Sequence, residues 1–174
     1  CDAGAFCFTE ERQLCPSGST SPPGSSSSAD CHCVSGYWES NATEAGPPEC
    51  HACPANSGSP ANSLSAAQCS CFAGFWQSNV TDQGEPVCQA CPPGHYCAGG
   101  ASAPVQCPVG SDTSGGGKSS KADCLCAQGE GHDDAFDCVP CAVGSFQPEE
   151  RGQLCVPCAP GKTTAREGAY EACL

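Results

Sequence analysis

A small disulfide-rich fold, built of short antiparallel hairpins joined by long loops and elongated by tandem repetition, is predicted by three observations. Twenty of the 174 residues are cysteine. Val, Leu and Phe together supply only 19 residues, with no Ile or Met, too few for a packed apolar core. And residues 15–52 recur without a gap at 53–90, with 19 of 38 positions identical.

Ordering a residue costs roughly 1–2 kcal/mol, which so few apolar side chains cannot offset. Closing a loop of about 15 residues with a disulfide removes roughly 3 kcal/mol of unfolded-state freedom. The cross-links are therefore expected to hold the fold, with small aromatic clusters beside them. Disulfides at this density place the chain in an oxidising setting, either secreted or at the cell surface. Six Lys and Arg against 19 Asp and Glu give a net charge of −13, which repels nucleic acid and anionic lipid. No apolar run approaches 18 residues, so this segment is not expected to insert into a membrane. A first residue that is cysteine reads as a processed chain or a piece of a longer one.

Residues 1–14 open the first unit and return at 141–154. Cys1, Gly4, Phe6, Gln13, Leu14 and Cys15 match Cys141, Gly144, Phe146, Gln153, Leu154 and Cys155. Position 7 is cysteine and its counterpart is Gln147, so Cys141 meets no cysteine before Cys155. A Cys141–Cys155 bridge is the simple choice and leaves Cys158–Cys173. If the first copy keeps that loop, Cys1 pairs with Cys15, and Cys7 with Cys31. Residues 16–30, PSGSTSPPGSSSSAD, read as an extended solvated loop and an O-glycan carrier, or equally as a plain flexible loop. Residues 111–123, SDTSGGGKSSKAD, read as another flexible polar loop.

Cys31–Ser40 (CHCVSGYWES) and its copy Cys69–Ser78 (CSCFAGFWQS) carry C-x-C-x-x-G-aromatic followed by a closing cysteine. This pattern resembles the C-terminal half of an epidermal-growth-factor-like (EGF-like) module. The resemblance implies Cys33–Cys50, Cys71–Cys88 and Cys53–Cys69. Residues 1–50 and 91–138 each hold six cysteines in EGF-like order. Family pairing there implies Cys1–Cys15 with Cys7–Cys31, and Cys91–Cys107, Cys97–Cys124 and Cys126–Cys138. Nearest-neighbour pairing, 1–7 with 15–31 and 91–97 with 107–124, is the alternative. The pieces CHACPAN, CQACPPG, CVPCAVG and CVPCAPG are similar to the cysteine-rich repeats of ephrin-receptor and tumour-necrosis-factor-receptor ectodomains. Mixed repeats of this kind occur in surface and fibre glycoproteins of protists and algae. Four modules are expected, at 1–52, 53–90, 91–140 and 141–174.

Gly36 and Gly74 sit where each short hairpin bends. Tyr37, Trp38, Phe75 and Trp76 are expected to cover the disulfides or the next module, with a ligand-binding aromatic patch as the sharper reading. Asn41-Ala-Thr and Asn79-Val-Thr are N-glycosylation sequons at the same place in both copies. Glu130, Asp133, Asp134 and Asp137 suggest calcium, but the calcium-binding EGF-like pattern puts its acids ahead of the first cysteine, where this sequence has none. Cys138-x-x-Cys141 and Cys155-x-x-Cys158 have zinc-ribbon spacing, yet neighbouring units use cysteine in forms better suited to bridges. His32, His51, His95 and His132 fall in separate loops with no acidic or nucleophilic partner. No metal, cofactor or catalytic residue is expected.

The near-identical tandem units, the small residues and the lack of a reactive cluster favour a non-catalytic structural subunit of an extracellular glycoprotein fibre, coat or stalk. Its partners would be other copies of itself or neighbouring modules of a longer chain. The alternative is the ligand-binding ectodomain of a receptor or adhesion protein, with an extracellular protein as partner. The closing residues ACL would recreate a C-x-C if another copy followed, so the chain is expected to be one period of a longer array.

Overall fold

The computed structural model describes residues 1–8, 11–40, 46–171 and 173–174. Among these the backbone forms nine two-stranded sheets, each made by strands that follow one another along the chain. The strands are two to six residues long. The 38-residue repeat is reproduced in the register: Ser19 pairs with Cys33 and Thr20 with His32, as Ser57 pairs with Cys71 and Gly58 with Ser70. Strands this short carry no core of their own and depend on the cross-links beside them.

Ten disulfides consume every cysteine. Four expected pairs are not formed. Cys1 bonds Cys7 and Cys15 bonds Cys31, in place of Cys1–Cys15 and Cys7–Cys31. Cys91 bonds Cys97 and Cys107 bonds Cys124, in place of Cys91–Cys107 and Cys97–Cys124. The reason lies in the turn after the first cysteine. Gly4 and Gly94 reverse the chain so that the residue six positions on returns to within 5.7 Å, Cα to Cα, in both places. In the 141–173 stretch that position is Gln147, which is buried. Its side-chain amide donates to the Leu154 carbonyl and its oxygen accepts from the Glu149 N–H. Only there is the opening cysteine left for the next one, Cys155. The other bridges are Cys33–Cys50, Cys53–Cys69, Cys71–Cys88, Cys126–Cys138 and Cys158–Cys173.

The chain divides into two compact units, one of residues 1–72, 77–89 and 99–101, the other of residues 73–76, 90–98 and 102–174. In the first, the buried residues include Ala5, Phe6, Cys31, Cys33, Ala66, Cys69 and Cys71, together with Ser21, Ser25, Ser57, Ser59 and Ser63. Sulfur and serine fill the interior because the chain has few large apolar residues to put there. The serines are buried at little cost because each hydroxyl finds a carbonyl. Ser21 donates to Ala5 and Ser59 to Tyr37, both at 2.8 Å. Ser25, Ser57 and Ser63 each reach back three residues to a proline carbonyl.

Successive hairpins are tied by main-chain bonds at the turn glycines. Gly4 N–H donates to Ser21 and its carbonyl accepts from Cys15, both at 3.0 Å. Gly36 repeats this with Ser59 and Cys53, both at 2.9 Å. The carbonyls of Cys1, Cys33 and Cys71 accept from Gly24, Asn62 and Gly100, all with positive φ. Asn62 holds a left-handed backbone that only Gly and, less often, Asn adopt easily.

The second unit uses the same scheme. Cys91, Cys97, Cys107, Cys124, Cys126, Cys141 and Ala169 are buried with Thr113, Gln147 and Thr164. Thr113 and Thr164 hydroxyls accept from Gly94 and Gly144, at 2.8 and 3.0 Å. Gly74 N–H donates to Cys97 and Gly129 N–H to Gln147. Cys91 and Cys141 carbonyls accept from Gly117 and Gly168, both at 2.8 Å.

The serine-rich loops are folded instead of extended. Ser28–Asp30, Ala66–Gln68 and Lys121–Asp123 are one-turn 3-10 helices, each ending one residue before a C-x-C. Ser-x-Ala-[Asp/Gln]-Cys is the shared sequence. The Asp30 and Asp123 carboxylates accept from the N–H groups of Ser26 and Ser27, and of Ser119 and Ser120. Gln68 accepts from Leu64. The first and third are reciprocal caps that satisfy the free donors of a helix start, while at Ala66–Gln68 only the glutamine reaches back.

Candidate functional site

The aromatic residues singled out by the repeat are half-buried on their strands. Tyr37 lies on Gly18, where an added Cβ would stand 2.6 Å from the tyrosine Cδ1. Trp38 is opposite His51 across its hairpin, and the rings stack with centroids 5.1 Å apart. The Trp38 backbone forms a bridge to Ser63 of the following repeat, and its buried indole Nε1 has no hydrogen-bond partner among the described residues. Phe75 and Trp76 open the strand Phe75–Val80.

Asn79 lies near the end of that strand, exposed, with its side-chain oxygen accepting from the Val80 N–H at 2.8 Å. Thr81, the third residue of the sequon, starts a tight turn. Its N–H donates to the Glu85 carbonyl and its hydroxyl accepts from the Glu85 N–H. Asn41 lies outside the described residues.

Glu130, Asp133, Asp134 and Asp137 are gathered in the hairpin of Glu130–His132 with Cys138–Pro140. Asp133 Oδ1 accepts from the N–H groups of Ala135 and Asp137, both at 2.9 Å. Asp137 pairs with Lys121 at 2.6 Å. Phe136, at the tip, has φ of +58° and meets the His132 ring edge-on. Asp133 thus holds its own loop, and Asp137 ties that loop to Lys121. Asp123, Asp133, Asp134, His132, Phe136 and Leu154 line an open cleft of about 580 Å³ beside it.

Cys126, His132 and Cys138 place one donor each within 4.8 Å of one another. Two of those donors are sulfurs already joined to each other, and the His132 Nε2 lies 2.7 Å from the Cys124 carbonyl oxygen. The zinc-ribbon cysteines are likewise all in bridges, Cys138 with Cys126, Cys141 with Cys155 and Cys158 with Cys173. His32 and His95 face the carbonyls of Asp30 and Pro93, while His51 faces the Ser40 hydroxyl at 3.0 Å and Glu49 at 3.8 Å. The structure does not gather the four histidines into one site.

The capping carboxylates went unnoticed as a set in the sequence, although Ser-x-Ala-[Asp/Gln]-Cys recurs three times. Their charge is what the loops use. The Asp123 carboxyl is held below the usual aspartate range, first by the Ser119 N–H and then by Ser120, against the cost of burial. Asp133 is lowered in the same direction, mainly by the Asp137 N–H. A carboxyl whose pKa falls on folding contributes stability above its unfolded pKa, and the contribution disappears as pH drops through the folded value. We therefore expect the 120–124 turn to loosen only below the ordinary aspartate range. Amide shifts of Ser119 and Ser120, followed by NMR against pH, should titrate at a midpoint below that of an unstructured aspartate. A midpoint at the ordinary value would count against the cap.

Residues 131–173 match the family described as tyrosine-protein kinase ephrin type A/B receptor-like. No curated protein matches the chain. With ten bridges and nine short hairpins among the described residues, the chain is a tandem array of small disulfide-rich repeats, of which the stretch 131–173 is similar to the ephrin-receptor-like kind. The matched stretch is a receptor-like extracellular module.

Proposed function

We propose that the chain is a non-catalytic structural segment of an extracellular fibre, coat or stalk glycoprotein. One observation carries the reading: the polar groups of this chain are used to hold successive hairpins together. Ser21, Ser59, Thr113 and Thr164 are buried on neighbouring backbone, and the cysteines are all in bridges. A chain that spends its hydroxyls and thiols on its own continuity suits a spacer or building block, with other copies of itself or adjoining repeats as partners. Electron microscopy of native material tests it. Filaments or coats with a regular repeat support the reading, and a dispersed monomer that captures a soluble ligand overturns it.

The second reading, a ligand-binding ectodomain, is favoured by the receptor-like match at 131–173 and by the cleft beside Phe136. Under either reading Asn79 and Asn41 carry N-glycans. Asn79 is exposed on a hairpin strand, and its side-chain oxygen bonds the adjacent Val80 N–H. Asn79→Gln should remove one glycan's mass from secreted protein, and Asn41→Gln a second, with the bridges unchanged. An unchanged mass in either variant would remove that site.

A further inference from the structure

We infer that the chain is a tether with a covalent stretch limit. The ten bridges are strictly consecutive: each closes its own loop before the next begins, and none encloses or crosses another. A pull on the two ends therefore runs through each bridge and bypasses the loop behind it. Between the first and last cysteines about 36 peptide steps lie outside the loops, and these span roughly 130 Å when fully extended at about 3.6 Å each. The bridges add their Cα–Cα spans, which run from 5.4 to 5.8 Å. The taut chain then measures roughly 190 Å, against about 620 Å with every thiol free.

Extension is also unevenly placed. Most junctions between bridges are the short C-x-C and C-x-x-C links, which hold little spare length. Half of it lies in two segments, residues 7–15 and 97–107. Each contributes one strand of a hairpin, Glu11–Leu14 against Ala5–Phe8, and Val105–Gln106 against His95–Tyr96. Tension unzips these pairs one after another. When it falls they close again in the same register, because each is flanked by intact bridges: Cys1–Cys7 and Cys15–Cys31, or Cys91–Cys97 and Cys107–Cys124. The biological use of such a limit rests on the proposed role in a fibre, coat or stalk, but the limit itself depends only on the order of the bridges.

Single-molecule stretching of the full chain between handles of known length tests the inference. The oxidised chain should stop near 190 Å and extend about threefold further once reductant is added. Replacing one bridge by serine, as Cys71→Ser with Cys88→Ser, should add about 56 Å to the oxidised limit, from its separation of 17 residues and its 5.6 Å span. These are lengths of the taut chain, so a variant that folds poorly still reports them. An oxidised chain that stretches as far as the reduced one, or no added length on removing the 71–88 bridge, overturns the stretch limit. Neither result bears on whether native material forms fibres.

Discussion

Treated with a mild reductant and no denaturant, the protein is expected to lose its hairpins. The apolar interior cannot hold them. Apart from cysteine, the buried apolar residues among those described are Ala5, Phe6, Ala66 and Ala169 with the prolines Pro48 and Pro86, and Phe6 alone is large. Burying a phenylalanine fully is worth roughly 1.5–3 kcal/mol, which orders one or two residues. Of the remaining large apolar side chains, many face solvent to a great extent, as Leu14, Leu154 and Val109 do, and Tyr37, Trp38, Phe75 and Trp76 are only half-buried. A bridge closing a loop of 16 or 17 residues, such as Cys15–Cys31 or Cys107–Cys124, contributes about 3 kcal/mol. Several of them together exceed the roughly 5–15 kcal/mol by which a domain is normally stable. Far-UV circular dichroism and amide exchange should therefore move to unfolded values as the thiols appear. Retention of protected hairpins with every thiol free would show that some other interaction holds the fold.

The repeat made much of this legible. Two stretches identical at 19 of 38 positions adopt one register, and their C-x-C cysteines pair alike, Cys33–Cys50 and Cys71–Cys88, with spans of 5.6 Å. What the sequence left open was the pairing of the opening cysteines. Six cysteines in a row fit either a crossed or a consecutive order, and the choice turns on what occupies one buried position after the turn. Cys7 and Cys97 fill it with sulfur and close a short bridge, whereas Gln147 fills it with an amide that bonds Leu154. The 141–155 loop does not transfer to the first copy because that exchange gives Cys1 a nearer partner, Cys7. The serine-rich loops were misread for a related reason. Composition suggested solvation, but where large apolar residues are scarce, small hydroxyl side chains become interior material. Ser21 and Ser63 are 2% and 1% exposed. The threefold Ser-x-Ala-[Asp/Gln]-Cys motif, with its capping logic, was the available signal.

Substitution of Gly74 should be far more damaging than substitution of Gly36, its equivalent in the preceding repeat. Both have left-handed backbone, with φ of +87° and +86°, so alanine at either costs about 1–2 kcal/mol in conformation. The surroundings differ. A Cβ on Gly36 meets nothing within 4 Å among the described residues, whereas one on Gly74 would stand 2.7 Å from the Gly117 carbonyl oxygen. That oxygen cannot retreat freely. The Gly117 N–H is bonded to the Cys91 carbonyl at 2.8 Å, the Cys91 N–H to the Gly74 carbonyl at 2.9 Å, and the Gly74 N–H to Cys97 at 2.9 Å. Cys91 and Cys97 are themselves bridged. Relieving the clash means breaking at least one bond of this ring, worth roughly a further 1–2 kcal/mol. Each 1.4 kcal/mol is a factor of ten in the opening equilibrium. Gly74→Ala should therefore speed amide exchange at Cys91 and Gly117 by about a hundredfold or more. Gly36→Ala should speed exchange at Cys53, whose N–H bonds the Gly36 carbonyl, by roughly tenfold. Equal effects would mean that backbone conformation alone requires the glycine, and that the close approach of Gly117 adds nothing.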